Sequence, residues 1–313
     1  MAPADLPAGH SAESRVTEQR NPSSADIDLA SALQIVDLMN AEDRRVPDAV
    51  ATERERIAQA IDLVEAAFRS NGRLLYVGAG TSGRLGILDA SECPPTFGSD
   101  PEMVQGIIAG GPSAVFKARE GAEDRPEDGA HEMDAINVGP KDVLVGIAAS
   151  GTTPFVQGAL TRAKERGAKT VIIACTPISS TLEAQLDIAI LPIVGPEIVT
   201  GSTRLKAGTA TKMVLNMLTT GAMIRIGKTY GNLMVDLRAT NDKLRDRSER
   251  ILMEVCGVSR NEARRMLDMA DQSVKVAIVM QQLALTKPDA IGALERAGGV
   301  IRRVIPGPPP PVR

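Results

Sequence analysis

Two short loops rich in serine, threonine and glycine carry the side chains of this chain that are best suited to hold an anion. The first, Gly78-Ala-Gly-Thr-Ser-Gly83, follows an apolar run and precedes a helical pattern. The second, Ala148-Ala-Ser-Gly-Thr-Thr-Pro154, follows another apolar run and ends on a proline that suits a first helical turn. Hydroxyls and unpaired backbone N–H groups at a helix N-terminus bind phosphate. Because the pattern occurs twice, we expect both loops to converge on one phosphate.

The first loop also fits two other interpretations. Its GxGxxG spacing matches the dinucleotide-binding fingerprint, but that site needs an acidic residue at the end of the second strand, and here the strand ends Ile108-Ala-Gly-Gly111. A tight strand-to-helix turn without a ligand is the remaining alternative. The hydroxyls of Thr81 and Ser82 favour a single phosphate.

Two acidic positions could move protons. Glu92 lies near the C-terminal end of a predicted helix, where the helix dipole and burial both disfavour a negative charge, as suits a proton donor. The other is the cluster Glu120-Gly-Ala-Glu-Asp-Arg-Pro-Glu-Asp128, whose loop can face the same edge of the sheet but is more typical of a solvated loop. With only His10 and His131 in the chain, we expect proton transfer to use carboxylates, lysine or tyrosine, and no histidine-rich metal site.

A cationic stretch at 195–212 follows the last predicted strand. Thr200 and Ser202 are candidate N-caps of a long helix that begins with Arg204 and Lys206. Cations in a first turn oppose the helix dipole, so helix stability alone does not explain them. Two interpretations stay open: the cations bind a substrate anion, or they cover the surface.

These residues need a scaffold in which apolar strands alternate with helices. Strands are predicted at 73–78, 103–109, 142–148, 169–175 and 186–193. Helical patterns lie at 33–39, 57–68, 82–92 (closed by Pro94 and Pro95), 113–120, 154–166 and 202–227. The alternation predicts an α/β fold with a parallel five-stranded sheet flanked by helices, in which ligands collect at the carboxyl ends of the strands.

Four regions are expected along the chain. Residues 1–25 and the proline-rich tail 305–313 have the composition of flexible segments. Residues 26–234 form the α/β domain with its N-terminal helices. Within 235–304 only helical patterns occur, at 244–255, 262–269, 273–285 and 289–297, and these predict a small C-terminal helical subdomain.

Composition excludes several classes of protein. The 313 residues, 43% of them hydrophobic, are enough for a folded core. A net charge of -3 and 2% aromatic residues argue against a nucleic-acid partner. Cys93, Cys175 and Cys256 lack metal or disulfide spacing and are expected to be buried thiols. Without a signal peptide or a membrane-spanning run, we expect a cytoplasmic protein with no membrane partner.

Several segments together resemble a known family. They are Gly78-Ala-Gly-Thr-Ser-Gly-Arg-Leu85, Asp89-Ala-Ser-Glu-Cys-Pro-Pro-Thr-Phe-Gly98, Glu120-Gly-Ala-Glu-Asp124, Gly146-Ile-Ala-Ala-Ser-Gly151 and the stretch from Gly195 to Lys212. From about Thr17 to Val304 the chain is similar to the N-acetylmuramic acid 6-phosphate etherase family of the sugar isomerase (SIS) phosphosugar-binding superfamily. The Gly195 motif is shared with the glucokinase regulatory protein. The second and third segments are far more specific to the etherases.

The resemblance implies an enzyme of peptidoglycan recycling and amino sugar metabolism. The family cleaves the lactyl ether of N-acetylmuramic acid 6-phosphate with water, giving N-acetylglucosamine 6-phosphate and D-lactate. Elimination followed by water addition needs one acid and one base, but no metal or other cofactor. Carried over to this chain, Glu92 is the acid that protonates lactate and Glu123 is the base that removes the C2 proton.

The resemblance also assigns binding roles. By analogy with SIS domains, the 6-phosphate is held by Ser82, Ser150 and Thr153, with Thr152 close by. Thr81 is a further candidate, and we conjecture that Arg204 or Lys206 binds the lactate carboxylate.

The resemblance further implies a homodimer with sites near the interface, and a C-terminal subdomain like a ubiquitin-associated fold. Ser82 and Glu92 lie about 15 Å apart along the predicted helix, which is longer than a hexose phosphate. Either the two ends serve opposite ends of one substrate, or Glu92 acts across the dimer interface. The competing functions are a non-catalytic phosphosugar sensor, which needs neither carboxylate, and an aldose-ketose isomerase, which the Gly195 motif disfavours.

Overall fold

The computed structural model of the protein describes residues 16–117, 119–237, 242–307 and Pro309. These residues divide into two compact units. The first holds the described residues up to Asp89 together with Gln105–Leu218, and the second holds Ala90–Val104 together with the described residues from Thr219 onward. The flexibility predicted for residues 1–15, 308 and 310–313 concerns positions outside the described residues.

A five-stranded sheet forms the centre of the first unit, and the predicted parallel arrangement is confirmed. Its strands are β1 (Leu74–Gly78), β2 (Val104–Ile108), β3 (Val143–Ile147), β4 (Lys169–Ile173) and β5 (Ile188–Ile190), in the order β2-β1-β3-β4-β5. β1 and β3 are buried at every position, as expected for strands covered on both faces. Gly78 at the end of β1 pairs in register with Ile147 at the end of β3, so the loops that follow leave the sheet side by side.

Helices flank this sheet. They are α1 (Ala32–Asp43), α2 (Val46–Ala51), α3 (Arg54–Arg69), α4 (Gly80–Phe97), α5 (Pro126–Ala135), α6 (Pro154–Glu165), α7 (Ser180–Ala184) and α8 (Lys206–Arg225). One face of the sheet packs on α6 through an apolar core that includes Leu75, Leu144, Phe155, Leu160 and Ile172. α5 approaches α6 closely enough that a Cβ on Gly158 would lie 1.9 Å from the Pro126 carbonyl oxygen. The start of α5 is therefore fixed against α6.

The prediction that Pro94 and Pro95 end the helix at 82–92 was wrong, because α4 continues through both prolines to Phe97. Proline fits the helical φ, but it lacks the N–H that would bond to the carbonyl four residues earlier and its ring crowds that carbonyl, here those of Ala90 and Ser91. The Gly98 N–H bonds to the Pro94 carbonyl and closes the last turn. The double proline thus weakens the helix without stopping it.

The helix predicted over 113–120 was also wrong. Among its described residues, that region holds the 3-10 turn Pro112–Val115 and no α-helix, and Ala118 lies outside the described residues. A second 3-10 turn, Ala122–Asp124, follows it. Gly110 and Gly111 before this region and Gly121 after it have positive φ, so the chain leaves helical geometry at both of its ends. The α-helix begins instead at Pro126, inside the acidic segment that was interpreted as a loop.

The second unit contains a helical C-terminal region, as predicted. Its helices are α9 (Asp242–Cys256), α10 (Arg260–Met269), α11 (Val274–Leu283), α12 (Lys287–Arg296) and α13 (Ile301–Val304). They share an apolar core that includes Leu252, Ala263, Ala277, Ile278 and Ile301. A hairpin of β6 (Thr229–Tyr230) and β7 (Leu233–Met234) was missed, although the Gly231-Asn232 dipeptide between them is a hairpin signal. The likeness to a ubiquitin-associated fold stays a prediction.

Two further findings bear on the predicted class of protein. None of the three cysteines forms a disulfide; Cys93 and Cys175 are buried, as predicted, whereas Cys256 is only partly buried. Burial raises the pKa of the Cys175 thiol to about 12, so this thiol stays protonated. Within the described ranges, no helix has both the length and the apolar character needed to cross a membrane.

Candidate active site

The first serine-glycine loop joins β1 to α4. Gly80 adopts a φ of +52°, and Thr81 and Ser82 lie half-buried in the first turn of the helix. A Cβ on Gly83 would lie 2.6 Å from Ile108 Cγ1 and 2.8 Å from the Gly78 oxygen, so only glycine permits this close turn. The Ser82 hydroxyl has no hydrogen-bond partner among the described residues. It is thus free to bind a ligand at the helix N-terminus.

The second serine-glycine loop joins β3 to α6 at the same edge of the sheet. Gly151 turns the chain with a φ of +69°, and Pro154 begins α6 as predicted. Thr153 occupies the N-cap position, but its side chain makes no capping hydrogen bond. Ser150 Oγ accepts from the Thr152 hydroxyl at 3.2 Å. Both loops therefore present hydroxyl groups at neighbouring helix N-termini.

The cationic stretch differs from its prediction. α8 begins at Lys206, so Thr200 and Ser202 are not its N-caps. The buried carboxylate of Glu197 does this work by accepting from the Lys206 N–H at 3.0 Å and the Ala207 N–H at 2.9 Å. A carboxylate suits this position because the positive end of the helix dipole lies there.

Lys206 and Arg204 have different environments. The Lys206 ammonium is buried and pairs with Glu42, whereas Arg204 is exposed. Burial acts to raise the pKa of Glu42, but the hydrogen bond and charge of Lys206 outweigh it and hold that pKa below its ordinary value. Asn21 also donates to Glu42, at 3.0 Å, and to the Pro196 carbonyl at 3.2 Å, which ties the N-terminal segment to this motif. The Lys206 charge is thus neutralised within the first unit.

Glu123 lines a pocket of about 190 Å³ at the carboxyl edge of the sheet, in the first unit. Ala79 and Ala109, which directly follow β1 and β2, contribute to its wall. Its charged lining residues are Arg84, Arg119, Glu120 and Glu123. Glu123 is exposed, and its carboxylate has no hydrogen bond or ion pair with another described residue. The carboxylate is therefore available to accept a proton from a molecule in the pocket.

Glu123 lies in a segment that is anchored on both sides. It follows Gly121, which has a φ of +72°, and precedes α5, whose first residue contacts α6. A Cβ on Gly110 would lie 3.0 Å from Arg119 Cδ and 3.3 Å from Ala122 Cβ, so the segment folds back over the end of β2. This return brings the acidic cluster to the carboxyl edge of the sheet, although its residues alone were more typical of a solvated loop.

Glu92 has a different environment from the one predicted. It is exposed rather than buried, and α4 continues five residues beyond it to Phe97. It is not among the residues that line the pocket containing Glu123. Nearby on the same helix, the buried Asp89 accepts from Tyr76 Oη at 2.9 Å and from Asn216 Nδ2 at 2.8 Å. These bonds hold the part of α4 up to Asp89 within the first unit, and Glu92 belongs to the second.

Sequence reasoning missed the two arginines of the pocket. Arg84 lies near the start of α4, where the helix dipole disfavours a cation, and this conflict was a usable signal. Arg119 precedes the acidic cluster directly, within a segment that was interpreted as a helix. Glu42 gave no such signal, because its partner Lys206 is distant in the sequence. Glu197 gave none because it binds backbone N–H groups.

Comparisons with known proteins cover most of the chain. The model of the glucokinase regulatory protein N-terminal SIS domain matches residues 56–164, and that of the SIS domain matches residues 122–221. The N-acetylmuramic acid 6-phosphate etherase of Rhodopirellula baltica is 56% identical over 292 residues, covering 93% of this chain and 96% of that protein. Etherase 2 of Vibrio cholerae serotype O1 is 53% identical, covering 93% and 94%. A phosphoheptose isomerase structure from Francisella tularensis is similar at 18% identity with a TM-score of 0.47, covering 60% of this chain and 98% of that one.

Proposed function

This chain belongs to the N-acetylmuramic acid 6-phosphate etherase family, and from that membership we propose that it cleaves N-acetylmuramic acid 6-phosphate into N-acetylglucosamine 6-phosphate and D-lactate. It is an enzyme that breaks a carbon-oxygen ether bond, a lyase-type reaction of peptidoglycan recycling. The 56% identity over 93% of the chain carries this conclusion. A non-catalytic sensor is not favoured, because the similar proteins are named etherases. The direct test is the release of D-lactate from N-acetylmuramic acid 6-phosphate by the purified protein.

The chemistry of the substrate explains why two carboxyl groups are enough. In the open-chain sugar, the C2 proton is α to the C1 aldehyde and the lactyl oxygen on C3 is β to it. A base removes the C2 proton, the C2–C3 double bond forms, and the C3–O bond breaks with its electron pair going to the lactyl oxygen. An acid protonates that oxygen, and D-lactate leaves. Water then adds at C3 and a proton returns to C2, so the sum is hydrolysis of the ether.

We assign the base to Glu123 and the acid to Glu92. The pocket position of Glu123, together with its lack of protein partners, supports its assignment as the base. For Glu92 the support is the family resemblance and its free, exposed carboxyl group. Glu92 is exposed, so burial does not support its role as the acid.

We assign the 6-phosphate to the two serine-glycine loops, with Ser82, Ser150 and Thr153 as its hydroxyl ligands and Thr81 and Thr152 beside them. Replacing Ser82 with alanine is expected to raise KM by about 10- to 100-fold, since a hydrogen bond to a charged group contributes about 1.5–3 kcal/mol. The phosphate is remote from C2 and C3, so kcat should change much less. Steady-state kinetics of D-lactate release measure both constants.

The matched control for that experiment is Ser180→Ala, which removes an exposed serine at the start of α7. It is expected to behave like the wild type. A normal KM in Ser82→Ala would exclude Ser82 from the phosphate site.

Arg204 is our remaining candidate for the lactate carboxylate, because Lys206 is committed to Glu42. Arg204→Ala is expected to raise KM by about tenfold or more through the loss of a charge-assisted hydrogen bond. Arg204→Lys keeps the charge and should recover part of that loss. An unchanged KM in Arg204→Ala would remove this assignment.

We also propose that the protein is a homodimer. Support comes from three apolar side chains on or just before α1 that are strongly exposed, Leu29 at 84%, Leu33 at 70% and Val36 at 53%. An apolar groove of about 230 Å³, lined by α2, α3 and Met217, is a second apolar surface. Light scattering should give twice the 33.0 kDa mass of one chain. A mass of one chain at all concentrations would contradict the proposal.

Two organisational assignments stay proposals as well. We assign the phosphosugar-binding SIS domain to residues 26–234 and the helical subdomain to 235–304. We likewise propose, from the sequence alone, that the protein is cytoplasmic.

A further inference from the structure

Arg84 is bound to the protein through one edge of its guanidinium group. Its Nε donates to the Val115 carbonyl at 2.7 Å, and its Nη2 donates to the Ala114 carbonyl at 2.8 Å. The planar fork of arginine matches two consecutive carbonyls in a way that the single ammonium of lysine cannot. Two of its nitrogens therefore serve the backbone, which gives Arg84 a structural target within the first unit.

The two carbonyls belong to the segment 109–121, which leads from β2 to Glu123. Ala114 and Val115 end the 3-10 turn Pro112–Val115, which lies between β2 and the acidic cluster. The described part of the segment 109–121 contains no strand and no α-helix. Three glycines with positive φ, Gly110, Gly111 and Gly121, stand near its two ends, and glycine restricts the backbone less than any other residue. External anchors must therefore fix its conformation.

Arg84 provides such an anchor from within the site itself. It lies on α4 two residues after Ser82, and it lines the same pocket as Glu123. We propose that Arg84 is a positioning residue that couples the first serine-glycine loop to the segment carrying Glu123 and so aims the Glu123 carboxylate at C2 of the sugar. This inference rests on the assignment of Glu123 as the base in the proposed function. A displacement of about 1 Å at a reacting group costs about 100-fold in rate.

The first experiment separates positioning from substrate binding. Arg84→Ala is expected to lower kcat by about 100-fold while the Kd of the product, N-acetylglucosamine 6-phosphate, stays within about threefold of the wild type. Arg84→Gln keeps one donor and is expected to lie between the two, which also gives a second variant if alanine impairs folding. The control is Arg125→Ala, which lies two residues after Glu123 and outside the pocket. It should behave like the wild type.

Two results would overturn the proposal at this stage. If Arg84→Ala weakens product binding as strongly as it lowers kcat, then Arg84 contacts the substrate directly. If it lowers only the melting temperature while kcat per folded molecule is unchanged, then its role is structural alone. Circular dichroism and thermal unfolding of each variant supply the folded fraction.

A double-mutant cycle distinguishes failure of this proposal from failure of the proposed function. If Arg84 acts through Glu123, adding Arg84→Ala to Glu123→Gln should lower the residual rate of D-lactate release by less than about twofold. Two losses that multiply in the double variant would show that Arg84 acts independently of Glu123, and the positioning role would be wrong. Full activity in Glu123→Gln alone would instead refute the base assignment, and with it the target that Arg84 positions.

Discussion

Glu123→Gln is expected to reduce the rate of D-lactate release by about 10²- to 10⁴-fold, the usual contribution of a general base. The amide cannot accept the C2 proton, and nothing else in the proposed mechanism replaces it. The change is nearly isosteric at an exposed position without protein hydrogen bonds, so the fold should be unaffected. The measurement is kcat for N-acetylmuramic acid 6-phosphate, with the folded state checked by circular dichroism.

The control for this variant is Glu127→Gln, which neutralises another exposed carboxylate of the same acidic cluster outside the pocket. It removes the same local negative charge as Glu123→Gln but leaves the proposed base in place. It is therefore expected to keep the wild-type rate. A Glu123→Gln enzyme with full activity would show that another group removes the C2 proton. Loss in both variants would point to the charge of the cluster instead of one base.

Glu92→Gln is expected to lower D-lactate release by a similar factor for a different reason. The lactyl oxygen would then have to leave as an alkoxide, which is a poor leaving group. The base is still present, so substrate recovered from deuterium oxide should carry deuterium at C2. Substrate recovered from Glu123→Gln should not. Comparison of the two variants therefore separates the acid from the base.

The matched control is Glu254→Gln, an exposed carboxylate on α9. It should leave both lactate release and deuterium exchange unchanged. If Glu92→Gln keeps the wild-type rate of lactate release, another group is the acid. If it also loses exchange at C2, its role is not confined to protonating the leaving group.

The sheet could be predicted from the sequence because its strands are short apolar runs buried on both faces. β1 and β3 are buried at every residue, so their composition alone marked them. The two serine-glycine loops were also visible, since their glycines and hydroxyls stand directly after those runs. That β1 and β3 are neighbours could not be read locally. It follows from pairing across almost 70 residues of chain, as in Gly78 with Ile147.

The parts that failed depend on tertiary partners. Lys206 was considered for substrate binding, but its partner Glu42 lies 164 residues away and shows no local pattern. Glu197 caps α8 through a loop that returns to the helix start, so the local candidates Thr200 and Ser202 were preferred. From the residues alone, the acidic cluster around Glu123 was more typical of a solvated loop. Only the family resemblance and then the fold distinguished it.

The most direct test of the central claim uses isotopic water with the wild-type enzyme and N-acetylmuramic acid 6-phosphate. Elimination followed by hydration predicts three results in deuterium oxide enriched in ¹⁸O: D-lactate is released without ¹⁸O in its hydroxyl group, the N-acetylglucosamine 6-phosphate carries deuterium at C2, and its C3 hydroxyl carries ¹⁸O. These labels report cleavage of the C3–O bond through loss of the C2 proton. Unlabelled C2, or ¹⁸O in the lactate hydroxyl, would contradict this mechanism, and absence of D-lactate would contradict the etherase activity itself.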